Sequence, residues 1–266
     1  IHGALDNTPW NILEKRYKYY DKVIPLMFKS LNTNIKELEI IKGSSFQLKK
    51  EYVLDLLKMA TATSVHDATK AASEVVKLGE NPRLGGIIYP LMQALDEEYL
   101  GADIQYGGID QRKIFVLARE ILPKIGYKPR IEIMTPLLHG ITGKKMSASE
   151  PSSVVDLLDD ESTVNHKISN AYCIAGDYEN GLIAFLEYVI FALKKDKNEK
   201  RLIERDKQYG GDIEFSDIKL LKQSFKEKKI HPLDLKKAVA REINTLLKPM
   251  REKHSELIKL AKEAYI

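Results

Sequence analysis

Hydrophobic positions along the first part of the chain switch between helical and strand spacing. Thr8 and Pro9 supply a hydroxyl N-cap and a proline at the first helical position, which predicts a helix that ends near residues 32–34. The spacing predicts further helices over residues 49–62, 66–78 and 84–100, and one that opens at residues 109–110 and ends at Pro123 and Gly126. Short apolar runs predict strands over residues 38–41, 102–106 and 131–134, and residues 1–5 are typical of the end of a buried strand.

Strands that alternate with helices of this length require crossover connections and favour a parallel sheet. We therefore expect an α/β domain over residues 1–153. Beyond Val154 no strand pattern is evident, and helical patterns cover residues 161–173, 182–193, 216–227, 233–247 and 249–264. The remaining residues, 154–266, are predicted to form an all-helical second domain.

Composition narrows the class of protein. Of 266 residues, 42 are Lys or Arg and 38 are Asp or Glu, so the net charge of +4 excludes a strongly polyanionic or polycationic chain. The single cysteine, Cys173, excludes an internal disulfide or a multi-cysteine zinc site and favours the cytoplasm. No apolar run approaches the roughly 20 residues that cross a bilayer, so we expect no membrane span.

Three polar side chains share one side of the predicted helix over residues 84–100. Tyr89, Gln93 and Asp96 stand at positions i, i+4 and i+7, beside the apolar stripe of the same helix. Such a phenol, amide and carboxylate can line a small polar pocket. A solvated helix side, continued by Glu97 and Glu98, is the alternative interpretation.

A glycine turn follows the strand predicted over residues 102–106. Gly107 and Gly108 precede Asp110 at the start of the next helix. Ligands bind at the carboxyl ends of parallel strands, where glycines admit them to the backbone and an acidic residue can hold sugar hydroxyls. The spacing is not that of a dinucleotide fingerprint, and a tight turn with an aspartate cap is the alternative.

A loop with two lysines and two hydroxyls follows the strand predicted over residues 131–134. Lys144, Lys145, Ser147 and Ser149 can close on a polyphosphate, where ammonium groups neutralise charge on a leaving pyrophosphate. Adjacent lysines are also common on ordinary surfaces. We expect the helix with Tyr89, the glycine turn and this loop to meet at one edge of the sheet.

Taken together, these segments resemble the tyrosyl-tRNA synthetase family in its archaeal and eukaryotic form. The resemblance covers essentially the whole chain and implies a Rossmann-like parallel-sheet catalytic domain, incomplete at its N-terminus, followed by an all-helical anticodon-binding domain. The motifs are Tyr89-Pro90-x-x-Gln93-Ala94-Leu95-Asp96, Gly107-Gly108-x-Asp110-Gln111-Arg112-Lys113 and Lys145-Met146-Ser147-Ala148-Ser149, the last of which resembles the second class I signature.

The resemblance implies a role for each matching residue in the catalytic domain. Tyr89, Gln93 and Gln111 would hold the amino group of tyrosine, and Asp96 would bind its phenolic hydroxyl. The implied ATP-binding residues are Gly108, Asp110, Met134 and Lys145, and the catalytic loop residues are Lys144, Lys145, Ser147 and Ser149. The implied reaction is tyrosine activation by ATP, which arrives with Mg²⁺, followed by transfer of tyrosyl to tRNA(Tyr). No structural metal is implied.

The second domain resembles the family's anticodon-reading domain at two places. Tyr209 would stack on the first anticodon base, and His231, Pro232 and Asp234 would lie at its hydrogen-bonding edge. Without the resemblance, His-Pro-x-Asp is only a helix start with an acidic first turn. Arg112 and Lys113 are weaker matches to positions that approach the acceptor stem.

The chain departs from the family pattern in two respects. The first class I signature, His-x-Gly-His or a close variant, is absent, and Ala148 stands where serine or lysine is common. The resemblance therefore implies that the family's opening segment is missing from this sequence. We expect the chain on its own to activate tyrosine poorly or not at all.

Two alternatives stay open at this point. A tryptophanyl-tRNA synthetase shares the fold and the loop, but Asp96 and the block from Gly107 to Lys113 disfavour it. A non-catalytic tRNA-binding fragment would fit the missing first signature. Family members are homodimers, and residues 64–78 together with the helix around Tyr89 are the expected interface.

Overall fold

The computed structural model describes residues 1–143, 153–195 and 201–265. It divides into two compact units, one formed by Ile1–Tyr20, Leu38–Leu137 and the chain from Leu260 onward, the other by Asp21–Glu37 and Leu138–Lys259. Within the described ranges, no helix combines the length and apolar character that crossing a bilayer requires. The functional domain limits at residues 1–153 and 154–266 stay a prediction.

The first unit is built from helices around a small parallel sheet. Strand β1 (Ile104–Gly108) pairs in parallel with β2 (Ile131–Thr135), with Ile104 opposite Ile131 and Gly108 opposite Thr135. The helices of this unit are α1 (His2–Leu5), the first part of α2 (Trp10–Ser30), α3 (Lys50–Ala62), α4 (Val65–Ala72), α5 (Leu84–Tyr99) and α6 (Arg112–Ile121). The residues of α2 from Asp21 onward belong to the second unit. Short 3₁₀ turns occupy Gly43–Ser45, Ile109–Gln111 and Leu122–Ile125.

The core of this unit lies between α3, α5 and α6. Tyr52 and Met59 from α3, Leu95 from α5 and Ile114 from α6 are completely buried. These positions recur at helical spacing, so each helix buries one stripe and leaves its polar stripe free. The packing fixes the side of α5 that carries Tyr89, Gln93 and Asp96.

The second unit is mainly helical. Its helices are α7 (Glu161–Ser169), α8 (Gly181–Phe185), α9 (Ala192–Lys195), α10 (Ile218–Lys226) and α11 (Pro232–Arg251), and a π-helical stretch Leu186–Phe191 joins α8 to α9. The last helix, α12 (His254–Tyr265), begins in this unit, and its residues from Leu260 onward belong to the first. Buried leucine and isoleucine side chains from α7, α8, α10 and α11 form its core, among them Ile168, Leu182, Leu221 and Leu235.

The structure corrects three predictions of secondary structure. Residues 1–5 are not the end of a strand, because the Ile1 carbonyl accepts hydrogen bonds from the amides of Ala4 and Leu5, which makes this segment a helical turn. Residues 38–41 form no strand, and Leu38 and Ile41 are partly exposed. Beyond residue 154 there are two short strands, β3 (Arg201–Ile203) and β4 (Ile213–Phe215), which pair antiparallel.

Candidate active site and nucleic-acid interface

Asp96 lies on α5 at the centre of a hydrogen-bond network. The Gln47 amide nitrogen donates to its two carboxylate oxygens at 3.0 and 2.9 Å, and the Tyr52 hydroxyl donates to Oδ1 at 2.7 Å. The Asp96 side chain is only 18% exposed. Burial raises its pKa to about 6, although the hydrogen bonds from Gln47 and Tyr52 act in the opposite direction because they stabilise the charged form.

His2 connects Asp96 to Tyr89. Its ring lies edge-on to the Tyr89 ring, with centroids 4.8 Å apart, and its Nδ1 atom is 3.7 Å from an Asp96 oxygen. Burial lowers the pKa of His2 to about 4, so this imidazole is neutral at physiological pH. Burial also raises the pKa of the Tyr89 phenol.

Two polar atoms around Asp96 are buried without a hydrogen-bond partner among the described residues. They are Nε2 of His2 and Oε1 of Gln47. Buried polar atoms in native proteins are nearly always satisfied, so an unsatisfied pair beside a largely buried carboxylate is suited to bind a polar group. The arrangement can receive a ligand hydroxyl group.

The other two residues expected in this pocket meet each other. The amide nitrogen of Gln93 on α5 donates to the amide oxygen of Gln111, at 3.0 Å. Gln111 ends the 3₁₀ turn that follows β1, so this bond links helix α5 to the carboxyl end of the sheet. The structure therefore brings Gln93 together with Gln111, and connects Tyr89 with Asp96 through His2.

The glycine turn, Asp110 and Met134 lie at one end of the sheet. Gly107 is opposite Met134 and Gly108 is opposite Thr135 in the parallel register. A Cβ atom on Gly108 would lie 2.5 Å from Oδ1 of Asp110, so only glycine allows this carboxylate to fold back on the strand end. This end of the sheet thus exposes backbone groups and a carboxylate, which are the groups that a nucleoside site requires.

Several expected residues are outside the described part of the chain or are already engaged. Lys144, Lys145, Ser147 and Ser149 lie outside the described residues. Lys113 forms an ion pair with Glu74 at 2.8 Å and donates to the Ser73 hydroxyl at 2.8 Å, which partly neutralises its charge. Arg112, its neighbour, is exposed at the first position of α6.

The residues expected to read RNA lie in the second unit. Tyr209 ends the 3₁₀ turn Lys207–Tyr209 and is 68% exposed. It therefore does not belong to the core, and its ring is free to stack on a base. His231 caps α11, because its Nδ1 atom accepts from the amide of Leu233 at 3.2 Å. Pro232 is the first residue of this helix, and Asp234 lies in its first turn.

Arg205 connects these two places. Its Nε atom donates to the Gly211 carbonyl at 2.8 Å, just after Tyr209, and its Nη1 atom donates to the Lys229 carbonyl at 2.8 Å, just before His231. Gly210 and Gly211 adopt positive φ angles of 97° and 70°, which turn the chain back towards this guanidinium. Arg205 thereby links the turn that carries Tyr209 to the segment just before α11.

Sequence reasoning missed His2, Gln47, Tyr52 and Arg205. None of them belongs to a motif, and each has ordinary neighbours in the sequence. Their roles arise from contacts between distant segments, since 44 residues separate Tyr52 from Asp96. Gln47 is distinguished by being a polar residue that is nearly fully buried. Burial is not visible in a single sequence, so this feature could be recognised only in the structure.

Comparison with known proteins places this arrangement in a class. A model of the family "tRNA synthetases class I (W and Y)" matches residues 1–248. Cytoplasmic tyrosine–tRNA ligase of Xenopus tropicalis is 44% identical over the whole chain, which spans 50% of that relative. Tyrosine–tRNA ligase of Haloarcula marismortui is 40% identical over the whole chain, which spans 78% of it.

A solved structure agrees with these relatives. The crystal structure of tyrosyl-tRNA synthetase from Archaeoglobus fulgidus in complex with L-tyrosine matches with a TM-score of 0.84 and 38% identity, over 95% of this chain and 77% of that one. The chain thus spans about half the length of the vertebrate relatives it matches and three quarters of the archaeal ones. The chain belongs to the class I tRNA synthetases, and within them to the tyrosyl-tRNA synthetase family of archaea and eukaryotes.

Proposed function

We propose that this chain carries the activity of a tyrosine–tRNA ligase. In the first step, a carboxylate oxygen of tyrosine attacks the α-phosphorus of ATP, a new P–O bond forms, and the bond to the leaving pyrophosphate breaks. In the second step, a terminal ribose hydroxyl of tRNA(Tyr) attacks the activated carbonyl carbon, and AMP leaves. No protein nucleophile is required, so the side chains act by position and charge.

The buried Asp96 network is the observation that supports tyrosine as the substrate. Asp96 would accept a hydrogen bond from the substrate phenol, while Gln47 and Tyr52 hold the carboxylate in place. Phenylalanine would leave this buried acceptor unpaired. In tyrosyl enzymes, such a site rejects phenylalanine by a factor of about 10⁵. Tyr89, Gln93 and Gln111 would bind the amino group of the substrate.

ATP would bind at the carboxyl ends of β1 and β2. Gly108 would let the ribose approach the backbone, Asp110 would hold its hydroxyls, and Met134 would lie beside the adenine. The resemblance assigns the phosphates to Lys145, Ser147 and Ser149, and Lys144 would be a further catalytic residue of the same loop. Mg²⁺ would arrive on the ATP phosphates, because this ion is usually bound through substrate phosphates and not in an all-protein cage.

The second unit would bind the anticodon of tRNA(Tyr). Tyr209 is exposed and can stack on an unpaired base, and Asp234 can accept hydrogen bonds from the edge of that base beside His231 and Pro232. Arg112, exposed at the start of α6, would approach the acceptor stem, and Lys113 would do so after release from Glu74.

The enzyme would act in the cytoplasm as a homodimer. The vertebrate relative bears the name of a cytoplasmic enzyme. Exposed apolar side chains on α3 support self-association, and they precede the expected interface at residues 64–78. A symmetric pair of subunits would let tRNA contact one catalytic unit and the partner's anticodon unit.

Tyrosine-dependent ATP–pyrophosphate exchange tests this proposal directly. The purified chain is assayed with tyrosine, with phenylalanine and with tryptophan, and Asp96→Ala serves as the pocket variant. Because the first class I signature is absent from this sequence, we expect weak exchange, which depends on tyrosine alone and is abolished in the variant. Exchange with tryptophan would favour the tryptophanyl alternative, and tRNA binding without any exchange would favour a binding fragment.

A further inference from the structure

A groove runs between α7 and α11 in the second unit, apart from the expected anticodon residues. Its volume is about 870 Å³. Cationic side chains of α11 line it together with polar side chains of both helices, while Glu161 is the acidic residue among its lining residues. The cationic residues are Lys236, Lys237, Arg241, Lys248 and Arg251.

The cations form a stripe along α11. Lys237, Arg241, Asn244, Lys248 and Arg251 follow one another at intervals of four, three, four and three residues, so they share one face of the helix. At 1.5 Å per residue, the stripe is about 21 Å long. Its charges are therefore arranged in a row and not in a single cluster.

The stripe retains most of its charge. Lys237 and Lys248 are exposed, and neither forms an ion pair within the part of the chain that the structure describes. Lys236, which lines the groove beside the stripe, donates to the Ser169 carbonyl at 2.8 Å and forms no ion pair within the described residues. Arg241 is the exception, because it pairs with Glu204. A row of such cations attracts a polyanion.

Hydrogen bonds fix the positions of the asparagine and arginine side chains in the groove. Asn244 donates to Asn165 across the groove at 3.0 Å, and Arg251 donates to the Asn244 amide oxygen at 2.7 Å. Arg251 also donates to the Asp159 carbonyl at 3.2 Å. These hydrogen bonds hold the C-terminal end of the stripe in position, and the charge of Arg251 also acts on the nearby Asp160 carboxylate, whose pKa is lowered mainly by hydrogen bonds from Thr163.

We propose that this groove binds the sugar-phosphate backbone of an RNA stem. The inference rests on the proposed function, and it names the second contact surface for the same tRNA. The groove begins at Leu233 and Lys236, within one turn of Asp234, and extends away from it along α11. A hairpin whose loop is read at His231 and Asp234 therefore places its stem along the stripe.

The chemistry favours RNA over an acidic protein segment. Phosphates recur at a regular spacing along a strand, and a row of lysine and arginine side chains can contact several in succession. Amide groups such as those of Asn165 and Asn244 add donors to phosphate or ribose oxygens. Such contacts carry no base information, so the groove contributes affinity and register while the loop residues contribute specificity.

The test measures binding of the full chain to two RNA hairpins over a range of salt concentrations. One hairpin carries the anticodon arm of tRNA(Tyr), and the other has the same stem with a different loop. The groove variant is Lys237→Ala/Lys248→Ala, and Lys237→Arg/Lys248→Arg retains the charge. Lys219→Ala/Lys259→Ala is the control, because these lysines are exposed in the same unit but lie outside the groove.

The groove variant is expected to bind both hairpins roughly tenfold more weakly at low salt. The slope of log K against log salt should fall by about 2, one for each lost phosphate contact. The arginine variant and the control should behave like the unsubstituted chain. Equal affinity of the groove variant and the control, or no RNA binding by the unsubstituted chain, would overturn the proposal.

Pyrophosphate exchange on the unsubstituted chain separates this proposal from the proposed function. Exchange without any effect of the groove variant on RNA binding would overturn the groove and leave the ligase activity standing. A salt-dependent loss of RNA binding in the groove variant, without exchange, would support the groove while the ligase activity fails.

Discussion

Asp96 is held by donors that both favour its charged form, while burial favours the neutral acid. Burial prevails and raises its pKa to about 6. Because the charged carboxylate is the stronger acceptor for a phenol, we expect tyrosine binding to weaken as the pH falls through this value. Tyr52 contributes one of the three hydrogen bonds to this carboxylate, so its hydroxyl sets part of that pH dependence.

Tyr52→Phe removes this hydroxyl and keeps the buried ring. A hydrogen bond to a charged group contributes about 1.5–3 kcal/mol, so the pKa of Asp96 should rise by roughly 1–2 units. The midpoint of tyrosine binding, measured by calorimetry between pH 5 and 8, should move to higher pH by that amount. Tyr99→Phe is the matched control, since its hydroxyl bonds to Asp55. An equal shift in both variants would contradict the assignment.

Glu97, the next residue on α5, is a buried acid outside the network around Asp96. It is 2% exposed, and its Oε1 atom has no hydrogen-bond partner among the described residues. Burial, with the nearby Glu132 carboxylate, raises its pKa from 4.5 to about 7. The folded state thus binds this proton more tightly than the unfolded chain. Its contribution to stability is complete below pH 4.5 and is lost as the pH rises through 7.

Glu97→Gln should therefore stabilise the fold in a pH-dependent way. The gain in unfolding free energy should be small at pH 5 and approach roughly 3 kcal/mol at pH 8. Urea unfolding at the two pH values measures it. Glu120→Gln, at an exposed position of α6, should change stability by less than about 0.5 kcal/mol at both values. A gain for Glu97→Gln that does not depend on pH would show that the charge is not its cause.

At the scale of elements, the N-terminus of α8 depends on one buried side chain. The Asn180 amide oxygen accepts from the amides of Leu182 and Ile183 at 3.0 and 3.1 Å, and its nitrogen donates to the Asp177 carbonyl at 2.7 Å. Asn180 is 3% exposed, so water cannot replace these bonds. A buried amide without a partner costs more than an exposed one.

Asn180→Ala should lower the free energy of unfolding by about 2 kcal/mol or more. Asp217→Ala removes the cap of α10, which serves a single amide at an exposed helix end, and should cost about 1 kcal/mol. Chemical unfolding monitored by circular dichroism compares them. Equal losses in the two variants would mean that burial does not strengthen the cap of α8.

The elements differ in how well the sequence predicts them. Helix α5 was predicted almost to its ends, because a long apolar stripe at helical spacing has no other interpretation. The strands β3 and β4 were missed, since three residues are too few to show an alternating pattern. Residues 38–41 have an apolar strand-like pattern but lack a hydrogen-bonding partner strand, and a partner is a property of the fold.

The same distinction applies to the candidate site. Tyr89, Gln93 and Asp96 could be predicted because helix geometry alone places them on one side of α5. Gln47 and Tyr52 could not, because they reach Asp96 from a different helix and from the segment before it. Local periodicity predicts which side chains lie on the same face of a helix or strand, and tertiary packing determines which of them come into contact.

At the scale of the whole molecule, α3 presents an apolar face that its own unit leaves exposed. Val53, Leu54 and Leu57 are 42%, 51% and 60% exposed, and positions i, i+1 and i+4 lie on one side of a helix. Val65, at the start of α4, is 70% exposed within the expected interface at residues 64–78. Large exposed apolar side chains on neighbouring helices favour association of two copies.

We therefore expect light scattering on the unsubstituted chain to give twice its mass of 30.3 kDa. Leu57→Asp introduces a charge that the proposed interface would have to desolvate, so this variant should elute as a monomer at micromolar concentration. Leu220→Asp, at a 56% exposed position on α10, is the matched control and should remain dimeric. If the unsubstituted chain is monomeric, or if both variants dissociate equally, α3 does not form the interface.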